Sequence, residues 1–145
     1  GMGEETREPR LYPIGRVRSG IADRGQAPKQ GRDARLTAVL ELDPALAPAL
    51  EGLAQGAWLW VMCWFHRADP PTLKVHPRGD RTRPLKGLFT TRAPCRPNPI
   101  SLNLVRLAAK RGTRLTVVGL EAFDGTPVLD IKPYVHRLDS PEGGR

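Results

Sequence analysis

The densest group of residues that could do chemistry lies between positions 91 and 100, where three prolines are interspersed with polar side chains. Each proline fixes its own φ near about −65° and keeps the residue before it out of the helical region. Arg96 and Asn98 each precede a proline, so both are predicted to stand on a stiff, extended backbone. A guanidinium presented in this way suits a carboxylate or a phosphate, and an amide suits a base edge. A proline-rich connector with a solubilising arginine would have the same sequence, so two interpretations remain open.

A second group of polar residues follows at positions 123–132. Asp124-Gly125, set between two β-prone runs, is typical of a hairpin turn. A functional turn would look the same, because it would offer the Asp124 carboxylate and backbone N–H groups to a polar ligand. Asp130 and Lys132 alternate with apolar residues, and this period predicts that they share one face of a strand, as a structural or a catalytic pair.

The remaining reactive side chains are few. His66 follows an aromatic run at 58–65 and is either a surface or cap residue or a ligand or general base. The aromatic run forms core, or a face that supports a purine or a sulfonium cation. Cys63 is predicted to be buried, whereas Cys95, near two arginines, is a candidate nucleophile. No Cys/His cluster has zinc spacing, and no dinucleotide, phosphate-loop or hydrolase motif occurs.

Charge is concentrated in one part of the chain. The 145 residues carry 23 Lys or Arg and 15 Asp or Glu, a formal net charge of +8. Residues 66–114 alone hold twelve of these basic residues and two aspartates, a local net charge of +10. This concentration of positive charge suits a polyanion or a phosphate-bearing ligand. The other interpretation is a solvated basic surface without a ligand.

These side chains must be positioned by a single domain, because 145 residues rarely build two cores. Gly and Pro make 30 of the residues, which favours short strands and shaped loops. The prediction is a mainly β, single-domain barrel of short strands with one short helix beginning at Asp43-Pro44 and two long loops, at 19–35 and 66–84. The aromatic run is predicted to be a strand buried on both faces. The other β-prone runs lie at 11–17, 36–42, 86–91, 101–108, 114–120 and 128–135.

The ends of the chain are polar and aperiodic. Residues 1–10, beginning with a Gly1-Met2 pair typical of an expression vector, and residues 136–145 are predicted to be flexible, which leaves 11–135 as the domain. The longest apolar run, 56–65, is too short to span a bilayer, and no signal peptide is evident. A soluble, cytoplasmic protein is expected.

Two long motifs carry a resemblance to a known family. Residues 87–100 are GLFTTRAPCRPNPI and residues 119–134 are GLEAFDGTPVLDIKPY. With shorter matches at 13–15, 18–19, 28–30, 59–61 and 65–66, the sequence resembles the TsaA-like family over about residues 11–135. This family is related to the tRNA adenine-N6 methyltransferases known as TrmO or YaeB.

The resemblance implies a mostly β barrel that binds S-adenosylmethionine without the Rossmann fingerprint, commonly as a homodimer. Similar proteins methylate the exocyclic nitrogen of threonylcarbamoyl-adenosine beside the anticodon of tRNA. No metal is implied. By motif match, the cofactor site comprises Pro28, Lys29, Gln30, His66, Arg67, Arg92, Leu102, Asp124, Gly125, Thr126 and Pro127.

Simple chemistry assigns roles within this implied site. The aminoacyl carboxylate of the cofactor suits Arg92 or Lys29, and its adenine and ribose suit Asp124 and main-chain groups. A conjugated exocyclic N–H is a poor nucleophile, so a nearby proton acceptor would help, and Asp130 is the candidate. Arg96 and Asn98 would orient the substrate. The hypothesis therefore names three catalytic residues: Asp130, Arg96 and Asn98.

Three positions depart from the usual family pattern: Trp58, Ala93 and Ser101. The chain also ends soon after Tyr134, whereas tRNA-modifying members often carry a further C-terminal domain. Two alternatives therefore stand beside tRNA methylation. One is methylation of a small molecule or another RNA, and the other is a non-enzymatic module that binds S-adenosylmethionine.

Overall fold

The computed structural model describes residues 8–20 and 36–142. Its strands are β1 (Gly15–Arg18), β2 (Thr37–Leu42), β3 (Trp58–Cys63), β4 (Lys74–Val75), β5 (Lys86–Gly87), β6 (Asn103–Arg111), β7 (Arg114–Val118) and β8 (Pro127–Pro133). One short helix, α1 (His136–Asp139), follows β8, and 3₁₀ turns span Pro44–Leu50, Pro77–Gly79 and Leu88–Thr90. Within the described ranges, no helix is long and apolar enough to cross a membrane.

Six strands close into an antiparallel barrel in the order β1-β2-β7-β6-β3-β8. β4 and β5 form a separate two-stranded sheet. The predicted mainly β barrel is therefore confirmed. Closure pairs β1 with β8, which leaves none of the six strands with an unpaired edge.

The core lies inside the barrel, where alternate side chains of each strand point inward. In β2, for example, Ala38, Leu40 and Leu42 are buried while the intervening residues are more exposed. Small and branched apolar residues suit the narrow interior of a six-stranded barrel. The buried cluster within the strands comprises Val17, Ala38, Leu40, Leu42, Leu59, Val61, Cys63, Val105, Leu107, Leu115, Val117 and Val128.

The aromatic strand β3 is not buried on both faces, so that prediction is wrong. Leu59, Val61 and Cys63 are fully buried, whereas Trp58 on the opposite face is 48% exposed. A barrel wall is a single layer, so an apolar run in it need not be covered on its outer side. Trp60 is partly covered by the ring of Tyr134, with centroids 5.8 Å apart.

The helix predicted at Asp43-Pro44 is a 3₁₀ segment that ends at Leu50. Asp43 caps it as expected, because its Oδ1 accepts from the Ala45 N–H at 2.9 Å. Pro48 lies inside the segment and has no N–H to donate. The second long loop also contains structure, namely β4 and the turn at Pro77–Gly79, and α1 begins the segment predicted as a flexible tail.

One end of the barrel gathers the chemically interesting residues, and we call it the rim. β1 and β3 end there, and β6 and β8 begin there, because β1 and β3 both run antiparallel to β8 and β6 runs antiparallel to β3. Ser19, Trp64, Ile100 and Thr126 mark these four strand ends on the rim. Residues far apart in sequence are thereby brought to one edge.

Candidate functional site

The Asp124–Pro127 turn is fastened to the end of β1. Asp124 Oδ1 accepts from the Ser19 N–H at 3.0 Å, and the Gly125 N–H donates to the Val17 carbonyl at 2.7 Å. The Thr126 hydroxyl donates to the Phe123 carbonyl at 2.7 Å and the residue is 1% exposed. These bonds hold the Asp124 carboxylate at the rim in a fixed orientation.

This turn is not a β7–β8 hairpin, so the hairpin interpretation of Asp124-Gly125 is wrong. β7 pairs with β2 and β6, and β8 pairs with β1 and β3. The connection from β7 to β8 crosses the rim instead, and Gly125 adopts a φ of 84° there. Glycine tolerates that conformation without strain, which explains the Asp-Gly pair without a hairpin.

His66 and Arg67 follow β3 onto the same rim. The Trp64 N–H donates to the Pro127 carbonyl at 3.0 Å, so the end of β3 lies against the turn that begins β8. The Arg67 guanidinium lies 4.5 Å from the ring centroid of Phe123. Partial desolvation, and then the nearby charges of Arg67 and Arg16, lower the pKa of His66 below its usual value. The lowered pKa favours the neutral imidazole, which can both donate and accept.

The proline-rich loop is anchored to the other side of β3. The Phe65 N–H donates to the Pro99 carbonyl at 2.8 Å, and Trp64 forms an isolated bridge with Ile100. The Ser101 hydroxyl accepts from the Cys63 N–H at 3.1 Å. Ser101, one of the departures from the family pattern, thus stabilises the junction of β3 and β6.

The three polar side chains of this loop differ in what they contact. Arg96 Nη1 donates to the carbonyls of Thr91 at 2.9 Å and Ala93 at 3.0 Å. Arg96 therefore holds the loop together, a role that the stiff-backbone argument did not predict. Arg92 and Asn98 are exposed, and within residues 8–20 and 36–142 the Arg92 guanidinium has no hydrogen bond or ion pair.

Asp130 and Leu102 lie on the outer face of the barrel wall next to the rim. Met62 of β3 pairs with Asp130 on one side. On the other side, the register runs from Val61–Asn103 to the Trp64–Ile100 bridge, which places Leu102 opposite Met62. Asp130 and Leu102 are thus two strands apart, roughly 10 Å at the usual strand spacing.

The predicted pairing of Asp130 with Lys132 on one face is present. Lys132 Nζ lies 3.4 Å from Asp130 Oδ2, and Asp130 Oδ1 accepts from the Ile131 N–H at 2.9 Å. The Asp130 side chain is 50% exposed. The carboxylate is therefore accessible from the outer wall and not from inside the barrel.

Some predicted residues cannot be compared with the others. Pro28, Lys29 and Gln30 lie outside the described residues.

The two cysteines are both free. Burial raises the pKa of Cys63 to about 12, whereas Cys95 is half-buried and its Sγ lies 3.6 Å from Thr72 Oγ1. In the described part of the chain, no group of three or more His, Cys, Asp or Glu side chains is arranged to hold a metal ion.

Sequence reasoning missed three residues at the rim. Arg16 Nη1 donates to the Gly125 carbonyl at 3.1 Å, and Ser19 donates its N–H to Asp124. Glu121, in the crossing before the turn, is partly buried, which raises the pKa of its carboxyl. The β1–β8 pairing that brings Arg16 and Ser19 to the turn spans over a hundred residues, so no local pattern could reveal it. Glu121 could have been noticed as an acid between apolar neighbours.

Comparison with known proteins shows what this chain is similar to. Residues 16–140 match the model of the tRNA-methyltransferase O N-terminal domain. A "Probable S-adenosyl-L-methionine-binding protein" of Methanothermobacter thermautotrophicus is 44% identical over 133 residues, which cover 92% of this chain and 95% of that protein. An S-adenosyl-L-methionine-binding protein of Archaeoglobus fulgidus is 36% identical over 89% of this chain and 91% of its own length.

A solved structure extends the comparison. The crystal structure of TrmO from Pseudomonas aeruginosa aligns with a TM-score of 0.73 at 35% identity and covers 96% of this chain. The alignment covers 62% of the TrmO chain, so the present chain spans about three-fifths of that protein. The barrel, the rim and both long motifs fall inside the matched region. The chain therefore belongs to the family of tRNA-methyltransferase O N-terminal domains.

Proposed function

We propose that the rim binds S-adenosylmethionine and that the chain transfers its methyl group to an adenosine in tRNA. The observation that carries this proposal is the convergence of His66, Arg67 and the Asp124–Pro127 turn on one end of the barrel. Leu102, opposite Met62 and just before β6, lies on the outer wall next to the rim. Three separate parts of the sequence that the family resemblance assigns to the cofactor therefore lie at this end of the barrel.

The side chains present suit the parts of the proposed cofactor. Asp124 Oδ1 is occupied by Ser19, which leaves Oδ2 to accept from ribose hydroxyls, with Arg18 Nη1 at 4.0 Å. The Arg92 guanidinium, which has no partner among the described residues, suits the aminoacyl carboxylate. Exposed Leu102 offers an apolar surface. Pro28, Lys29 and Gln30 remain part of the proposed site on the resemblance alone.

When bound, S-adenosylmethionine would supply an electrophilic methyl group whose leaving group departs as a neutral thioether. The protein needs little acid catalysis for such a reaction, so its main task is to orient the acceptor nitrogen and receive its proton. We propose Asp130 as the proton acceptor, because it is accessible on the outer wall in the same row as Leu102. Arg96 positions the loop that carries Asn98, and Asn98 contacts the substrate.

The proposed acceptor is the exocyclic nitrogen of threonylcarbamoyl-adenosine beside the anticodon. The tRNA part of this proposal is supported by the family and by the basic segment, where residues 66–96 carry eight Lys or Arg and two Asp. Such a substrate implies a cytoplasmic location. A homodimer is also proposed, and the exposed apolar side chain of Trp58 on the outer face of β3 offers a contact surface. Multi-angle light scattering would measure the dimer.

The test of this function has two parts. Calorimetry should detect S-adenosylmethionine binding, and Arg92→Ala should weaken it while Arg111→Ala, an equal charge loss at the far end of β6, should not. Nucleoside mass spectrometry of tRNA from cells with and without the protein should then show one methyl group on the modified adenosine. No mass difference in any tRNA nucleoside would refute the tRNA substrate.

A second candidate function is binding without methyl transfer. It is favoured by the contacts of Asp130, whose carboxylate already pairs with Lys132 and a backbone N–H. The same experiments separate the two candidates. Cofactor binding by calorimetry, combined with unchanged nucleosides and no turnover on small acceptors, would support a binding module.

A further inference from the structure

A cavity lies outside the rim, between the β4–β5 sheet and the proline-rich loop. Its volume is about 360 Å³, within the range of roughly 300–1,000 Å³ that is usual for small-molecule sites. We call it the arm cavity. Its lining residues are Val75, His76, Gly79, Arg81, Ala93 and Cys95.

Hydrogen bonds hold the two walls of the arm cavity together. The Thr72 N–H donates to the Cys95 carbonyl at 3.3 Å, which ties the segment leading into β4 to the proline-rich loop. Arg96 fixes the Ala93 wall through the Ala93 carbonyl at 3.0 Å. The cavity is therefore formed before any ligand binds, which lowers the entropic cost of binding.

The polar groups of the arm cavity offer a cation and a hydrogen-bond acceptor. His76 Nδ1 lies 2.8 Å from the Arg83 carbonyl, which can only accept, so Nδ1 donates and Nε2 of the neutral imidazole can accept from a ligand. The Arg81 guanidinium has no ion pair or hydrogen bond within the described ranges. The nearby Asp80 carboxylate accepts hydrogen bonds from the Thr82 N–H at 2.9 Å and the Thr82 hydroxyl at 2.6 Å.

The backbone on one side of the arm cavity is strained. Arg78 has a φ of 53° and is the one non-glycine residue with positive φ in the described part of the chain. Gly79 follows with a φ of 70°, and its N–H donates to the His76 carbonyl at 3.0 Å. Strain of this kind persists where the surroundings enforce it, and it clusters at ligand sites.

We propose that the arm cavity binds one nucleotide. The base packs on Val75, Ala93 and Cys95, the phosphate binds the Arg81 guanidinium, and His76 Nε2 accepts from an N–H or hydroxyl of the nucleotide. The apolar wall distinguishes this ligand from inorganic phosphate, which would gain nothing from it. An unpaired RNA nucleotide and a free mononucleotide share this chemistry, and the choice of RNA rests on the proposed function.

Cys95 provides a direct probe, because it is one of the residues that line the cavity. The chain has two cysteines, and Cys63 is fully buried, so iodoacetamide labelling of the folded protein reports Cys95 alone. The labelling rate is measured with a single-stranded oligonucleotide, with AMP, with inorganic phosphate and with no addition. We expect the oligonucleotide to slow labelling at least fivefold, and phosphate to leave it unchanged. Protection by AMP but not by the oligonucleotide would identify a free mononucleotide as the ligand and overturn the RNA source.

Matched variants complete the test. Arg81→Ala should weaken oligonucleotide binding roughly tenfold and lower the slope of log affinity against log salt by about 1. Arg111→Ala removes the same charge at the opposite end of the barrel and should weaken binding less than twofold. The proposal fails if neither nucleotide ligand protects Cys95, if the two variants weaken binding equally, or if Arg81→Ala changes the oligomeric state instead.

The result is separable from the proposed function. Labelling and RNA affinity are measured without S-adenosylmethionine, so they do not depend on the rim. If methyl transfer occurs but no nucleotide protects Cys95, the proposed function stands and nucleotide binding in the arm cavity is refuted. If a nucleotide protects Cys95 but no methyl transfer occurs, nucleotide binding stands and the proposed function is refuted.

Discussion

Replacing Asp124 by asparagine separates the charge of the carboxylate from its structural bond. In the native protein, Oδ1 accepts from the Ser19 N–H at 3.0 Å, and Oδ2 lies 4.0 Å from Arg18 Nη1. Asparagine keeps a side-chain oxygen for the Ser19 N–H and loses the negative charge. The turn should therefore stay in place while its attraction for ligand hydroxyls falls.

The size of the effect follows from hydrogen-bond strengths. A hydrogen bond to a charged group contributes about 1.5–3 kcal/mol, against about 0.5–1.5 kcal/mol for a neutral pair. The Asp124 side chain is 47% exposed, so water screens it and the lower end of the difference applies. S-adenosylmethionine should then bind Asp124→Asn about five- to tenfold more weakly than the native protein. Asp124→Ala also loses the bond to Ser19, so its Tm should fall by about 3–5 °C as well.

Calorimetry at pH 7.5 measures the affinity, and thermal unfolding checks the fold. Asp43→Asn is the matched control, because Asp43 Oδ1 also accepts a backbone N–H, from Ala45 at 2.9 Å, but at the opposite end of β2. Asp43→Asn should bind the ligand with native affinity. Native affinity in Asp124→Asn, or an equal loss in the control, would show that the Asp124 charge does not face the ligand.

Three further predictions concern stability. Gly15→Ala should lower stability by roughly 1–3 kcal/mol in urea unfolding, because its Cβ would lie 2.2 Å from the Glu41 carbonyl oxygen. Gly87→Ala, where no atom of residues 8–20 or 36–142 lies within 4 Å of the added Cβ, should be neutral. A neutral Gly15→Ala would contradict the close strand contact. The folded pKa of His66 is lowered, so its contribution is present above the unfolded pKa of about 6.5 and is lost as pH falls. His66→Asn should therefore lose less Tm than the native protein between pH 7 and 5, and parallel curves would refute this. The raised pKa of Glu121 has the opposite sign, because burial destabilises its ionised form and this cost grows as pH rises above the unfolded pKa. Glu121→Gln should therefore raise Tm more at pH 7 than at pH 4, and an equal rise at both would point to another cause.

Much of the barrel could be predicted because its signals are local. The alternation in β2 and the turn residues between the later strands identify short strands without any knowledge of their partners. The strand order could not be predicted, since it depends on pairings such as β1 with β8 that join distant segments. The error at β3 has the same origin. An apolar run shows that a strand is hydrophobic, but only the architecture decides whether a second layer covers Trp58.

The candidate site, like the fold, could be predicted from the sequence only in part. Asp124-Gly125 was recognisable as a turn, yet its position on the rim follows from bonds to Val17 and Ser19 that no sequence spacing encodes. The prolines indicated a constrained loop. They could not indicate that the Arg96 guanidinium would donate hydrogen bonds to the carbonyls of Thr91 and Ala93. Side-chain partners within a loop depend on how the chain folds back on itself, and residue type alone does not determine this.

The concentrated positive charge of this chain has opposite effects on its two proposed ligands. The eight Lys or Arg in residues 66–96 attract a polyanion, but the proposed methyl donor carries a net positive charge and would be repelled by them. Salt screens exposed charges beyond about 8–10 Å, so residues 66–96 act on RNA phosphates near them and only weakly on a ligand across the barrel. The exposed Asp124 carboxylate of the β7–β8 crossing supplies the local negative charge that a cation needs at the rim. A basic chain can therefore bind a cation and a polyanion at separate sites, because a short-range carboxylate governs the first and a segment of cations governs the second.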